Sequence, residues 1–303
     1  MKLLQTAVLS VACFVSPVFA LDAELLKYAG PEAKAVAGIY VDRTVGSPLG
    51  VYLQSMTGQG SRDFTNFIEL TGFDPRRDLR EIVFASSDGP RKKTGLMVAR
   101  GTFNAAQLGG AAVLLQRGVK ESYNGIDVYH GADANGPWLA FPEPTIAIMG
   151  DEATLKAALD RNAGASGLEP RLLAKAQTAG SRYDAWFASL GQPGMGFGRA
   201  KLAQEAVDTA SGGLTFGSVI QLNAEAVMRT AKDAQSLVDV IRFASSMLQM
   251  QGQRNPSMTA LATLVQSAQT KLDGSTVSIS ASIPQADVEQ LLNRTKRTAV
   301  LRQ

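Results

Sequence analysis

Residues 125–151 read GIDVYHGADANGPWLAFPEPTIAIMGD. Three runs of strand length, rich in aromatic and β-branched residues, follow one another here: GIDVYHG (125–131), WLAFP (138–142) and TIAIMGD (145–151). Only ADANGP and EP lie between them. A parallel crossover needs about a dozen residues or more, so these neighbours pair antiparallel. The same holds for EIVFASS (81–87) and GLMVARG (95–101), joined by the short link SSDGPRKK. Further strand candidates are AVAGIYVD (35–42), YDAWFASL (183–190), LTFGSVIQLNA (214–224) and STVSISASIP (275–284), and helical periodicity fills most of the rest. The expected fold is α+β, an antiparallel sheet with helices packed mainly on one face.

One unit recurs. GLMVARGTFNAAQLGGAAV, TIAIMGDEATLKAALDR, SVIQLNAEAVMRTAKDA and TVSISASIPQADVEQLLNR each run strand, short polar junction, helix. The junctions carry Asn104, Asp151, Asn223 and Ser282, whose side chains accept from the free amides of a helix start, and Pro284 follows the last of them. The recurrence suggests two related halves, 21–165 and 166–303, meeting near NAGASGLEP (162–170), with one continuous domain as the other arrangement. The longest helix is expected over about Ala224 to Met250. Its stripe of Val227, Ala231, Ala234, Val238, Ile241, Ser245 and Leu248 is expected to face a core; the alternative reading is a groove for an apolar ligand or partner helix, using Met228, Met247, Met250 and Met258.

The first twenty residues, MKLLQTAVLSVACFVSPVFA, place Lys2 before an apolar run from Leu3 to Val15, then Pro17, then small residues around Phe19. This is the pattern of a secretory signal peptide cleaved between Ala20 and Leu21, which directs the chain to the periplasm or the outside. Ser10 stands where a lipoprotein box carries leucine, so anchoring through Cys13 is disfavoured. Cleavage leaves 283 of the 303 residues and removes the single cysteine. The mature chain then has no disulfide, no thiolate nucleophile and no cysteine ligand for zinc. Loss of Lys2 lowers the formal charge from +3 to +2, too small an excess for the basic field that dominates nucleic-acid binding. No apolar run after residue 20 reaches the length of a membrane span.

Chemistry-bearing patterns are scarce. His130 is the only histidine, and no Gly-x-Ser-x-Gly or Ser-x-x-Lys supplies it with a nucleophile. GQPGMGFGRAKLAQEA (191–206) is glycine-rich between a strand and a helix, yet Gly194, Gly196 and Gly198 have the wrong spacing for a phosphate loop. GADANGP offers one carboxylate, short of a calcium loop. Two acids meeting in space would make a carboxylate-dependent hydrolase, and no pattern in the chain points to them. Arg294, Lys296, Arg297 and Arg302 read as a helix end whose charges suit the helix dipole. No cofactor is expected.

The densest charge cluster is TGFDPRRDLR (71–80). Asp74 caps, Pro75 suits the first helical position, and Leu79 and Ile82 face inward, so one helical turn feeds the strand EIVFASS. Arg77 and Glu81, four apart, pair if the turn persists. Arg76, Arg77 and Arg80 form the one candidate contact for an anionic group or a partner, against a structural reading in which Asp74, Asp78 and Glu81 neutralise them. FIELTGFDPRRDLREIVFASS (67–87), followed by GLMVARGTFN, resembles a segment of a family of uncharacterised secreted bacterial proteins, a domain of unknown function. The resemblance implies an exported protein and supplies no catalytic residues. The expected function is that of an exported, non-catalytic protein acting through binding or interaction, with a protein partner or a small apolar ligand as the two candidates.

Overall fold

The computed structural model describes residues 23–57, 62–88, 93–116, 118–133, 136–161, 164, 166–191, 206–254 and 267–289. Twelve strands form one antiparallel sheet: β1 (Ala35–Tyr40), β2 (Leu79–Asp88), β3 (Lys93–Gly101), β4 (Val119–Tyr123), β5 (Ile126–His130), β6 (Trp138–Glu143), β7 (Ile146–Gly150), β8 (Ala185–Leu190), β9 (Val207–Thr215), β10 (Val219–Met228), β11 (Gln269–Asp273) and β12 (Thr276–Pro284). Their order is β11-β12-β10-β9-β8-β1-β2-β3-β7-β6-β5-β4. The helices are α1 (Ala23–Leu26), α2 (Val41–Gly46), α3 (Pro48–Thr57), α4 (Arg62–Thr71), α5 (Pro75–Asp78), α6 (Ala105–Gln116), α7 (Glu152–Asp160), α8 (Pro170–Gly180) and α9 (Ala231–Arg254).

Side chains alternate between the two faces of each strand, and here both faces are apolar near the centre. On the first face Val36, Val83, Val98 and Ile148 meet Leu155 and Leu159 of α7, Leu172 and Ala176 of α8, and Leu25 and Leu26 of α1. On the second, Ala99, Phe103 and Ala147 gather Phe73, Leu79, Ile82 and Leu108 of α6. A third cluster on that same face sets Ala234 and Val238 of α9 against Val207, Ala210, Met228 and Val277. Helices therefore lie on both faces rather than mainly on one, because Ile82 and Ala99 are as apolar as their neighbours Val83 and Val98 on the opposite side.

Asp151 and Asn104 cap as expected. The amide of Thr154 donates to Asp151 Oδ1 at 2.9 Å and that of Gln107 to Asn104 Oδ1 at 3.1 Å. Asn223 and Ser282 do not cap: both lie inside strands, and register-pair with Gly213 and Gln221 respectively. The long helix accordingly starts at Ala231 rather than Ala224, where the amide of Asp233 donates to Thr230 Oγ1. Residues 224–227 pair on both sides with β9 and β12, and those two ladders outweigh the helical spacing of their side chains.

Candidate functional site

The middle of the second face is where a surface opens. In register across the sheet, Ala37 stands beside Phe84, Phe84 beside Met97, Met97 beside Met149, and Met149 beside Leu139. α6 rests on β4, β5 and β6, while α9 rests on β10, β11 and β12. Between them Phe84, in the middle of a twelve-stranded sheet, is 48% exposed. Phe84, Met97 and Met149 line a hollow of about 910 Å³, with Pro137, Asp151 and Lys156 among the residues at its margin.

The margin is charged but internally paired. Asp151 caps α7, and Lys156 Nζ lies 2.5 Å from Glu152 Oε1. The Glu152 hydrogen bond raises the Lys156 ammonium above its ordinary range. The same ammonium sits 4.9 Å from the centroid of the Trp138 ring and 5.5 Å from that of Tyr123. The floor is thus apolar, and its charged rim is already satisfied.

Of the arginine cluster, two members are turned onto their own acids. Arg76 forks onto Asp74, with Nε to Oδ1 at 2.9 Å and Nη2 to Oδ2 at 2.6 Å. Arg77 forks onto Asp78 at 2.7 and 2.8 Å and also donates to the carbonyl of Gly72. These hydrogen bonds hold the Asp74 and Asp78 carboxyls below the ordinary carboxylate range. The amide of Arg76 donates to Asp74 Oδ1, the cap that the spacing Asp74-Pro75 predicts. The expected Arg77–Glu81 pair does not form: Glu81 is already in β2, buried and in register between Tyr40 and Arg100. Arg80 is exposed beside it.

His130 stacks on Trp138, with ring centroids 4.1 Å apart. Its Nε2 lies 3.2 Å from Glu121 Oε1 and its Nδ1 2.9 Å from the carbonyl of Gly131, so both ring nitrogens are engaged. Among the described residues no group of three or more His, Cys, Asp or Glu is placed to hold a metal ion. Nor, among the described helices, is any long and apolar enough to cross a membrane. The core packing expected of the α9 stripe is found at Ala234 and Val238, which are buried in the packed cluster where the alternative reading had a groove. Met228 is buried in that cluster too, whereas Met247 and Met250 are exposed. Ala20 and Leu21, Met258, the glycine-rich stretch 192–205 and the basic residues 294–302 lie outside the described residues.

Phe84 itself was not singled out by its sequence. The signal present in EIVFASS is that both alternating sets, Val83 with Ala85 and Ile82 with Phe84, are apolar, the mark of a strand built for cover on both faces. Which part of the second face lacks that cover is not a property of the strand.

No family model matches the chain, and no curated protein matches it at a significant level. Solved structures do. Crystal forms III, I and IV of TP0453 superpose with TM-scores of 0.53, 0.52 and 0.50 at 11%, 12% and 10% identity. The match covers 88% of this chain and 95–96% of those chains. The likeness is one of fold. It spans nearly the whole molecule, so the continuous antiparallel sheet with its helices is an arrangement that a very different sequence also reaches.

Proposed function

We propose that this is an exported, non-catalytic binding protein that carries a small apolar ligand in the hollow floored by Phe84, Met97 and Met149. The observation that carries the reading is Phe84: a large aromatic side chain half-exposed on a central strand, in register with Met97, which is itself in register with Met149. Isolated exposed apolar residues are ordinary on protein surfaces; a contiguous apolar row across the central strands of a sheet is not. The hollow of about 910 Å³ falls within the range of about 300–1,000 Å³ typical of small-molecule sites. Methionine suits such a floor because its unbranched, polarizable side chain adapts to varied apolar shapes. The pattern of residues 1–20 supports export. The recurring order of a three-strand meander, a helix and a run of strands whose last member returns to pair with the third, β1–β3, α6 and β4–β7, then β8–β10, α9 and β11–β12, supports descent from two related halves.

The test is binding of the fluorescent apolar probe N-phenyl-1-naphthylamine to the purified mature protein, with long-chain fatty acids as competitors. Phe84→Lys is expected to weaken probe binding by about tenfold or more, the loss of roughly one buried aromatic contact. Phe243→Lys, at an exposed apolar position on α9, serves as the control and is expected to bind as the unaltered protein does. Equal binding by both variants would remove the hollow as the site.

A further inference from the structure

A second groove, of about 610 Å³, lies on the first face, between α8 and the sheet surface of β9, β10 and β12. Its floor is set by register. Ser211 stands beside Glu225 and Glu225 beside Ser278; Gly213 stands beside Asn223 and Asn223 beside Ser280. Its wall is one face of α8, where Arg171, Ala174, Lys175 and Thr178 recur at spacings of three and four.

The groove exists because the residues opposed across it are small. Ala174 and Thr178 on the helix wall and Ser211 on β9 all line it with short side chains that leave the space between wall and floor open. Gly213 is required here for another reason: a Cβ would lie 2.5 Å from Tyr183 Cβ and Cγ, so Tyr183 lies over the backbone of β9 at the groove. A merely solvated sheet face would carry long charged side chains across its floor. Here Arg171, Lys175, Arg182, Asp208 and Glu225 are the charged lining residues, an excess of one cation, and two pairs among them bridge the walls. Lys175 Nζ lies 2.7 Å from Glu225 Oε1. Arg171 Nη1 lies 3.2 Å from each carboxylate oxygen of Asp208, the extra residue of a bulge in β9.

The chemistry is that of donors and acceptors placed side by side without strong net charge. Glu225 keeps an oxygen, and Lys175 keeps N–H groups, beyond the bond they share. A vicinal diol can donate to that carboxylate and accept from that ammonium at once. The hydroxyls of Ser211, Ser278 and Ser280 and the amide of Asn223 continue the same dual capacity along the floor, and the Tyr183 ring adds an apolar surface. We propose that this groove is a binding site for a neutral polyhydroxylated ligand, an oligosaccharide. It is independent of the apolar hollow on the opposite face.

The experiment is calorimetric titration of the mature protein with malto-, cello- and chitohexaose, and with a sulfated hexasaccharide for comparison. At least one neutral hexasaccharide is expected to bind. Glu225→Gln, which keeps the shape and removes the charged acceptor, is expected to weaken binding by about tenfold, the worth of a hydrogen bond to a charged group. Ser211→Leu, which fills the groove, is expected to abolish it, and Thr178→Leu fills it from the helix side should the strand variant fail to fold. Phe84→Lys is expected to leave saccharide binding unchanged, which separates this site from the apolar one. No binding of any neutral hexasaccharide, binding of the sulfated one alone, or unaltered binding by Glu225→Gln and a groove-filling variant would each overturn the proposal.

Discussion

At Gly38 a side chain is excluded by Trp186: a Cβ there would lie 2.5 Å from Trp186 Cε2. The two residues are in register on adjacent strands, and the indole lies flat over the backbone of β1. Trp186 is buried, and its Nε1–H has no hydrogen-bond acceptor among the described residues. Packing therefore holds the ring, and Gly38→Ala is expected to destabilise the protein by about 1–3 kcal/mol, the cost of overfilling a packed core, measurable by urea denaturation. The aspartates of the charged turn make a second prediction at this scale. Their folded pKa values are depressed below the 3.8 of a free aspartate by the Arg76 and Arg77 hydrogen bonds. A depressed folded pKa contributes stability that is present above the unfolded value and lost as pH falls through the folded one. The difference in thermal midpoint between the protein and its Asp74→Asn, Asp78→Asn double variant is thus expected to be present at neutral pH and to shrink below about pH 4. The turn was legible in TGFDPRRDLR because capping is local. That Arg77 would prefer Asp78 over Glu81 was not, since it depends on Glu81 having entered β2.

Among the elements, strands with apolar alternation were readable and strands without it were not. β4 (VKESY) and β11 (QTKLD) are edge strands, and both carry the charges that keep an edge from pairing with another chain. Their composition hides them, although Asn124 and Gly125 mark the β4–β5 hairpin. Both residues have positive φ, 51° and 79°, as a two-residue turn matched to the strand twist requires. β9 was hidden by Gly212 and Gly213, which it needs: a Cβ at either would strike the neighbouring strand or Tyr183. Helices show how burial sets the cost of change. Leu155 of α7 is fully buried while Met250 of α9 is 59% exposed. Leu155→Ala is expected to cost about 2–5 kcal/mol and Met250→Ala less than about 0.5 kcal/mol, a contrast that chemical denaturation of the two variants measures directly.

For the whole molecule, the pairing of β1 with β8 joins what the chain order keeps apart. One core cluster contains Val36, Val83 and Ile148 from before residue 165 and Leu172, Ala176, Trp186 and Ala188 from after it. Tyr40 also donates to the carbonyl of Gly180, across 140 residues. A chain ending at residue 165 would expose β1 as an edge and strip those side chains from its core. The mature protein is expected to unfold in one cooperative transition, with circular dichroism and tryptophan fluorescence coinciding, and fragment 21–165 is expected to show no cooperative transition at all. Two separate transitions in the full chain, or a folded fragment, would show that the junction is weaker than its packing suggests. Residue type and spacing alone determined that the strands are antiparallel, that α5 is capped by Asp74, and that α7 and α6 start at Asp151 and Asn104, because short links, caps and alternation act within a few residues. Only the tertiary structure decided that helices cover both faces, that Phe84, Met97 and Met149 are left open, and that Ser211, Glu225 and Lys175 share a groove. Those outcomes depend on which strands become neighbours and how far each helix reaches, and both are set by packing between segments more than thirty residues apart.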